Sequence, residues 1–220
     1  MRVQQAAGLF ALCVEDAAWR ISRHSPSWPR SSRSSCPGAR CAGLRQHNQV
    51  NLAEKVREVP DWPQPGVGFK DVTPLLADPD ALAYSIEQLA EWGQAKQPDL
   101  VLGAEARGFI LGAAIARQIG CGFVPARRPG KLPPETISAT YALEYGQNAL
   151  ELHPDMIPKG ARVLIHDDVL ATGGTVEAIG EQLVERLGGE VVGCCFIIEL
   201  TFLKGRERLS KYDLHALIAY

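Results

Sequence analysis

The hydrophobic positions of this chain fall into short dense runs separated by longer periodic stretches. Dense apolar runs at 99–103, 122–126, 163–165, 191–200 and 214–220 have the Val, Ile and Leu content of strands buried on both faces. Between them, 79–96 follows a helical period, with Leu82, Ile86, Leu89 and Ala90 on one stripe and Asp78 in the N-cap position. Residues 109–119 make a second helical stretch, and 176–187 a third that Gly188 and Gly189 stop. Strands alternating with helices predict an α/β fold on a parallel sheet. Residues 140–146 and 149–152 instead alternate like the two arms of a hairpin. Upstream, Asn51 is placed to cap a short helix through Val56, which the proline-rich turn 60–66 ends. Near the end, 204–209 reads as a short charged helix or turn.

Residues 1–48 do not share this pattern. The stretch 25–35 is rich in serine and arginine, is broken by Pro26 and Pro29, and has no period. The expectation is a disordered extension, or a start codon placed too far upstream, followed by a folded domain over 49–220. Charge sharpens the division. The formal total is −2, yet the segment carries Arg2, Arg20, Arg23, Arg30, Arg33, Arg40 and Arg45 against Glu15 and Asp16 only, so the remainder is acidic. Three functional readings of the segment compete with disorder. A targeting peptide is opposed by Glu15 and Asp16 directly after the apolar stretch 6–14. A zinc site from Cys36, Cys41, His47 and either Cys13 or His24 lacks the spacing of a compact finger. A tail that touches nucleic acid would have only Trp19 and Trp28 as interleaved aromatics.

The six cysteines have no disulfide spacing, which suits reduced thiols in a cytoplasmic enzyme, with Cys194 and Cys195 as small residues of a buried strand. No apolar run reaches the length of a membrane span.

The chemistry concentrates after the run at 163–165. His166, Asp167 and Asp168 lead into Val169 and Leu170 and then into Ala171-Thr172-Gly173-Gly174-Thr175, a small-residue loop that opens the third helix. Glycines let successive N–H groups converge, the helix start adds unpaired N–H groups and a positive dipole end, and the threonines add hydroxyl donors. Such a cup suits a phosphate monoester. The two acids beside it would repel that phosphate, so they suit a cation or neutral hydroxyls, and a ribose 5-phosphate satisfies both halves. A surface loop is the bland alternative.

Other candidates are placed by the α/β pattern. Ligands in parallel sheets collect at the carboxyl ends of strands, so Arg107, in the loop after 99–103, shares a rim with the Asp167–Thr175 run. Residues 127–134 hold Arg127, Arg128 and Lys131 among three prolines and a glycine, a mobile basic loop that is either a solvated charge run or a lid over a polyanion. Gly68 and Phe69 offer close backbone approach and a flat apolar face, the parts of a planar-base site, although a core plug has the same composition.

The Asp-Asp…Thr-Gly-Gly-Thr run resembles the phosphoribosyl pyrophosphate (PRPP) motif of the type I phosphoribosyltransferases. Further stretches, at 65–74, 103–109, 127–133, 141–146 and 199–207, make the chain from about Asn51 onward similar to the adenine phosphoribosyltransferases within that family. The resemblance implies an α/β fold with a five-stranded parallel sheet flanked by helices, a flexible hairpin loop and a small N-terminal hood. It implies a pentosyl transfer of purine salvage, adenine plus PRPP giving AMP and pyrophosphate, by a cytoplasmic homodimer with no nucleic acid or membrane partner. The implied cofactor is Mg²⁺ carried on PRPP, with no direct protein ligand. By the same resemblance Ala171, Thr172, Gly173, Gly174 and Thr175 hold the 5′-phosphate, and Asp167 and Asp168 the ribose hydroxyls. Arg107, Arg127 and Lys131 receive the pyrophosphate. Gly68, Phe69 and Lys70 take the adenine, and Glu144 handles its proton beside the catalytic Arg107. Two alternatives stay open: transfer to another purine, or a PRPP-sensing regulator whose basic N-terminus contacts nucleic acid. His166 departs from the family's usual apolar residue and reads as a packed histidine at a strand end, or as a sensor of the adjacent phosphate.

Overall fold

The computed structural model describes residues 50–62, 65–66, 68–142 and 147–220. In chain order its elements are β1 (Arg57–Val59), β2 (Phe69–Asp71), α1 (Thr73–Ala77), α2 (Pro79–Gln94), β3 (Leu100–Ala104), α3 (Gly108–Ile119) and β4 (Gly122–Ala126). There follow β5 (Ile137–Ala142), β6 (Gln147–Leu152), β7 (Arg162–Leu170), α4 (Gly174–Ala178), β8 (Glu190–Glu199), α5 (Gly205–Arg208) and β9 (Leu214–Ala219). Five strands form the parallel sheet that the alternation predicts, in the order β4-β3-β7-β8-β9, and β5 with β6 is the expected antiparallel hairpin.

Period-two alternation sorts the strand residues between two cores. Leu100, Leu102, Val163, Ile165, Cys194 and Phe196 face the helical run after β7 and the hairpin residues Ala139, Leu150 and Leu152. Val101, Leu164, Cys195 and Ile197 face α2 and α3 through Leu89, Ala90, Leu111 and Ile115. Leu102, Leu164, Ile165 and Phe196 are fully buried, each contributing about 1.5–3 kcal/mol of apolar transfer. Cys194 and Cys195 are free thiols in the core, as their strand setting implies.

Several local expectations change. Asp78 does cap α2, its carboxylate accepting from the N–H groups of Asp80 and Ala81 at 3.0 Å. The face α2 buries, however, is Ala81, Ser85, Leu89, Ala90 and Gly93, with Leu82 and Ile86 only half-buried, because the small residues let the helix lie close on the sheet. Gly93, for one, leaves no room for a Cβ, which would stand 2.7 Å from Leu164. Asn51 does not cap through an accepted bond: its side chain donates to Glu54 at 2.7 Å, and the segment is a single 3-10 turn, Leu52–Lys55. The pair β1–β2 had no counterpart in the sequence pattern. The third helical stretch runs from Gly174 to Leu187 and stops at Gly188 in the left-handed region, but its middle, Ile179–Val184, is π-helical. There Gly180 makes room for Tyr212, whose hydroxyl oxygen would lie 2.3 Å from any Cβ at that position.

Candidate active site

Between β3 and β7 the sheet changes its direction of growth, since β4 lies beyond β3 on one side and β7, β8 and β9 on the other. In open α/β sheets the crevice outside the strand ends at such a switch point receives the ligand. The last paired residues of β3 and β7 are Gly103 and His166, and β7 runs on to Leu170, so the loop after β3 meets the end of β7 here.

The two acids lie within β7 itself, which continues to Leu170 before the chain turns. The loop is short: Gly173 sits at φ 81°, and α4 starts at Gly174. Asp168 is buried, and its N–H donates to Asp167 Oδ1 at 2.9 Å. The Asp167 carboxyl is enclosed beneath the start of α3, where a Cβ on Gly108 would stand 3.2 Å from Oδ1. That enclosure, and then the charge of Asp168, push the Asp167 carboxyl well above the usual carboxylate range. His166 is fully buried. Its Nδ1 lies 3.0 Å from the Cys195 carbonyl, so Nδ1 carries the proton and donates, while Nε2 has no partner among the described residues. Burial lowers its pKa to about 4, only partly offset by the bond to Cys195. The imidazole is therefore neutral at physiological pH and belongs to the core rather than to the cup.

After β3, Arg107 stands at the start of α3 with its Nε 2.5 Å from Asp168 Oδ2 and its guanidinium carbon 5.5 Å from the Phe69 ring centre. Asp168 Oδ2 accepts no well-aligned hydrogen bond from the described residues, so this is an ion pair that leaves the oxygen acceptor capacity. One side chain thus touches both a candidate ribose acid and the candidate base-stacking ring. Glu105, two residues earlier, accepts from Arg127 Nε at 2.9 Å and from the Arg128 N–H at 2.8 Å. Burial raises the Glu105 carboxyl, but those donors outweigh it and the net shift is downward. Arg127 also exchanges backbone hydrogen bonds with Glu151 of β6, at 2.8 and 2.6 Å. The basic loop is therefore tied at its root, while Lys131 is exposed.

The candidate base side is built by β1 and β2. Trp62 meets Phe69 edge-on with ring centres 4.4 Å apart. Lys70 pairs with Glu58 at 3.1 Å and lies 4.3 Å from the centre of the Tyr220 ring. Arg57 forms an ion pair with Asp71, and the donors Thr73 and Arg57 bring the Asp71 carboxyl down to about 2. Gly68 is exposed, with a hypothetical Cβ 3.1 Å from Glu58 Oε1.

The structure therefore gathers Asp167, Asp168, the 171–175 loop, Arg107 and Phe69 on one rim, with Arg127 linked to it through Glu105. Glu144 and residues 1–48 lie outside the described residues. Among the described residues no cluster of three or more His, Cys, Asp or Glu could hold a metal ion alone. Sequence reasoning missed Glu105, whose charge gave no sign of its partner, and Glu199 and Arg206, which lie inside a quoted motif without an assigned role.

Residues 73–216 match the family model described as a phosphoribosyl transferase domain. The chain is 48% identical over 171 residues to a protein of Clostridium acetobutylicum named adenine phosphoribosyltransferase, covering 78% of this chain and 99% of the relative. A protein of the same name from Koribacter versatilis is 52% identical over 170 residues, covering 77% and 93%. Among solved structures, adenine phosphoribosyltransferase of Thermoanaerobacter pseudethanolicus shares 51% identity at a TM-score of 0.74, covering 77% of this chain and 98% of that one. The Saccharomyces cerevisiae enzyme, solved with an imino-altritol bisphosphate and adenine, shares 37% identity at 0.70, covering 76% and 96%.

Proposed function

We propose, from the premise that this chain belongs to the phosphoribosyl transferase domain family, that it joins adenine to PRPP, giving AMP and pyrophosphate. The observation that carries the proposal is Arg107, which links Asp168 and Phe69 at the switch point of the sheet. The departing pyrophosphate needs a cation, and Arg107 supports the reading by standing between an acid suited to a sugar and an aromatic surface suited to a base.

In this reaction the bond from C1′ to the pyrophosphate oxygen breaks with its electron pair on the oxygen, and a lone pair of the base nitrogen forms the new bond to C1′. Positive charge develops on the ribose and negative charge on the leaving group. Arg107, with Arg127 and Lys131, neutralises the pyrophosphate. Asp167 and Asp168 hold the ribose hydroxyls, and the N–H groups and hydroxyls of Ala171, Thr172, Gly173, Gly174 and Thr175 hold the 5′-phosphate, fixing the sugar between leaving group and nucleophile. Phe69 stacks on adenine, with main-chain groups of Gly68 and Lys70 along its edge. Glu144 exchanges the proton of the attacking base. The residues present fit Mg²⁺ carried on PRPP without a direct protein ligand: Asp168 keeps an oxygen with acceptor capacity for the ion's waters, and this ion keeps several waters and favours phosphate oxygens. Bound there, Mg²⁺ supplies further neutralisation of the departing pyrophosphate.

Initial rates with PRPP, Mg²⁺ and each of adenine, hypoxanthine, guanine and xanthine test the reading. Turnover of adenine with release of pyrophosphate is expected, and turnover of hypoxanthine without adenine would overturn it. Glu144→Gln is expected to lower kcat far more than PRPP affinity; unchanged kcat removes the proton-transfer role. The same reading includes a cytoplasmic homodimer. No helix among the described residues is long and apolar enough to cross a membrane. Light scattering of the purified chain should give a dimer mass, and a monomer mass at assay concentration refutes that part.

A further inference from the structure

One short segment closes on the back of the 171–173 loop from several directions. Gly205, the first residue of α5, lies so close that a Cβ there would stand 2.2 Å from the Ala171 carbonyl oxygen and 2.9 Å from Leu170 Cδ1. Gly173 approaches the same residue from the loop side, its hypothetical Cβ 3.0 Å from the Gly205 oxygen. Arg208 reaches the Thr172 carbonyl at 3.5 Å and Glu177 in α4 at 3.4 Å. Beside Gly205, Arg206 grips Glu199 with two prongs, Nε to Oε1 at 3.0 Å and Nη2 to Oε2 at 2.6 Å, and donates to the Leu214 carbonyl at 3.3 Å. Glu199 is buried at the end of β8, in register with Leu170, the residue that enters the loop. Leu200 N–H donates to that Leu170 carbonyl at 2.9 Å.

These contacts share a consequence for peptide orientation. The carbonyls of Ala171 and Thr172 are both turned onto the α5 side. A planar trans peptide carries its N–H opposite its C=O, so the N–H groups of Thr172 and Gly173 face away from α5. A cup for an anion needs that polarity, because a carbonyl oxygen facing inward would repel a phosphate.

We infer that the segment 199–208 is a brace that holds the carbonyls of the 171–173 loop outward, with Gly205 and Arg206 as positioning residues for the 5′-phosphate. The inference rests on the reading that this loop holds the 5′-phosphate of PRPP. The Glu199–Arg206 pair anchors the start of α5, and the missing side chain of Gly205 lets α5 close on Ala171.

The test uses the full chain with Gly205→Ala, Arg206→Lys and Arg208→Ala, each checked for folding by circular dichroism. Initial rates are measured against PRPP and adenine separately, and ribose 5-phosphate binding by calorimetry. Displacements of order 1 Å at a binding group cost up to about 100-fold. Gly205→Ala is therefore expected to raise the KM for PRPP roughly 10- to 100-fold and to weaken ribose 5-phosphate by a similar factor, with kcat within about threefold and the KM for adenine unchanged. Arg206→Lys, which keeps the charge but loses the fork, should show the same split at about tenfold, and Arg208→Ala at about threefold. A folded Gly205→Ala with wild-type PRPP and ribose 5-phosphate constants overturns the brace, as does an equal decline in kcat and both KM values. If Gly205→Ala does not fold, the other two variants decide by the same criterion. A wild-type chain that neither binds ribose 5-phosphate nor turns over any purine refutes the loop assignment itself, a result distinct from an active wild type with indifferent variants.

Discussion

The two ends of the rim are held by different forces. At the phosphate end, glycines at 173 and 205 bring backbone against backbone, and the anchoring carboxylate of Glu199 is buried. At the base end, β1 and β2 have three residues each, and the ion pairs that tie them, Arg57–Asp71 and Glu58–Lys70, each place one partner largely in water. Close-packed backbone has one arrangement, whereas exposed ion pairs are screened by salt and contribute about 1 kcal/mol or less. On the proposed reading, the contrast separates a fixed grip on the sugar phosphate from an adjustable wall for the base.

The contrast can be tested at graded cost. Arg107→Gln removes the side chain that joins the two ends, and should lower kcat/KM about 100- to 1000-fold, the scale of a lost charge-stabilising donor; a loss below tenfold would separate the ends. On the rigid side, His166 gives a stability test. Its pKa is near 6.5 unfolded and about 4 folded, so the unfolded chain binds the extra proton first. Stability is then full above about pH 6.5 and falls as pH drops towards 4, by about 3 kcal/mol. Denaturant titrations at pH 7 and pH 4 should show that slope for the wild type and a shallower one for His166→Leu. On the adjustable side, Phe69→Leu should raise the KM for adenine about tenfold, the worth of one base–aromatic stack, and leave the KM for PRPP unchanged. The pair Gly173→Ala and Gly66→Ala compares the ends directly. Both glycines have positive φ, which costs an L-residue about 1 kcal/mol, but only Gly173 also faces a backbone oxygen at 3.0 Å. Gly173→Ala should cost more in thermal unfolding, and equal costs would erase the distinction. Glu58→Gln should change stability by less than about 1 kcal/mol.

Legibility in the sequence follows the same division. The β7 strand, its acids, the loop and the helix start are one continuous piece of chain, so residue types and order showed strand, loop and helix together. The sheet was legible because Val101 and Leu102, or Ile165 and Phe196, lie in runs long enough to show burial on both faces. The β1–β2 pair was not, since three residues carry no period and their partial exposure gives no apolar signal. The Arg107–Asp168 and Arg127–Glu105 pairs join residues far apart in the chain, and only the strand order places them together. Charge alone could not choose those partners. The π-helical turn at Ile179–Val184 was equally hidden, because it answers to Tyr212 on a later segment.

That irregular turn also carries Gln182, whose amide accepts from the Thr140 N–H at 3.1 Å and donates to the Thr140 carbonyl at 3.0 Å. One side chain thus satisfies both polar backbone groups of Thr140. It fastens one arm of the β5–β6 hairpin to the helix that begins at the phosphate loop. The hairpin arm and the helical run that opens after the 171–175 loop are thus joined by a side-chain link as well as by packing.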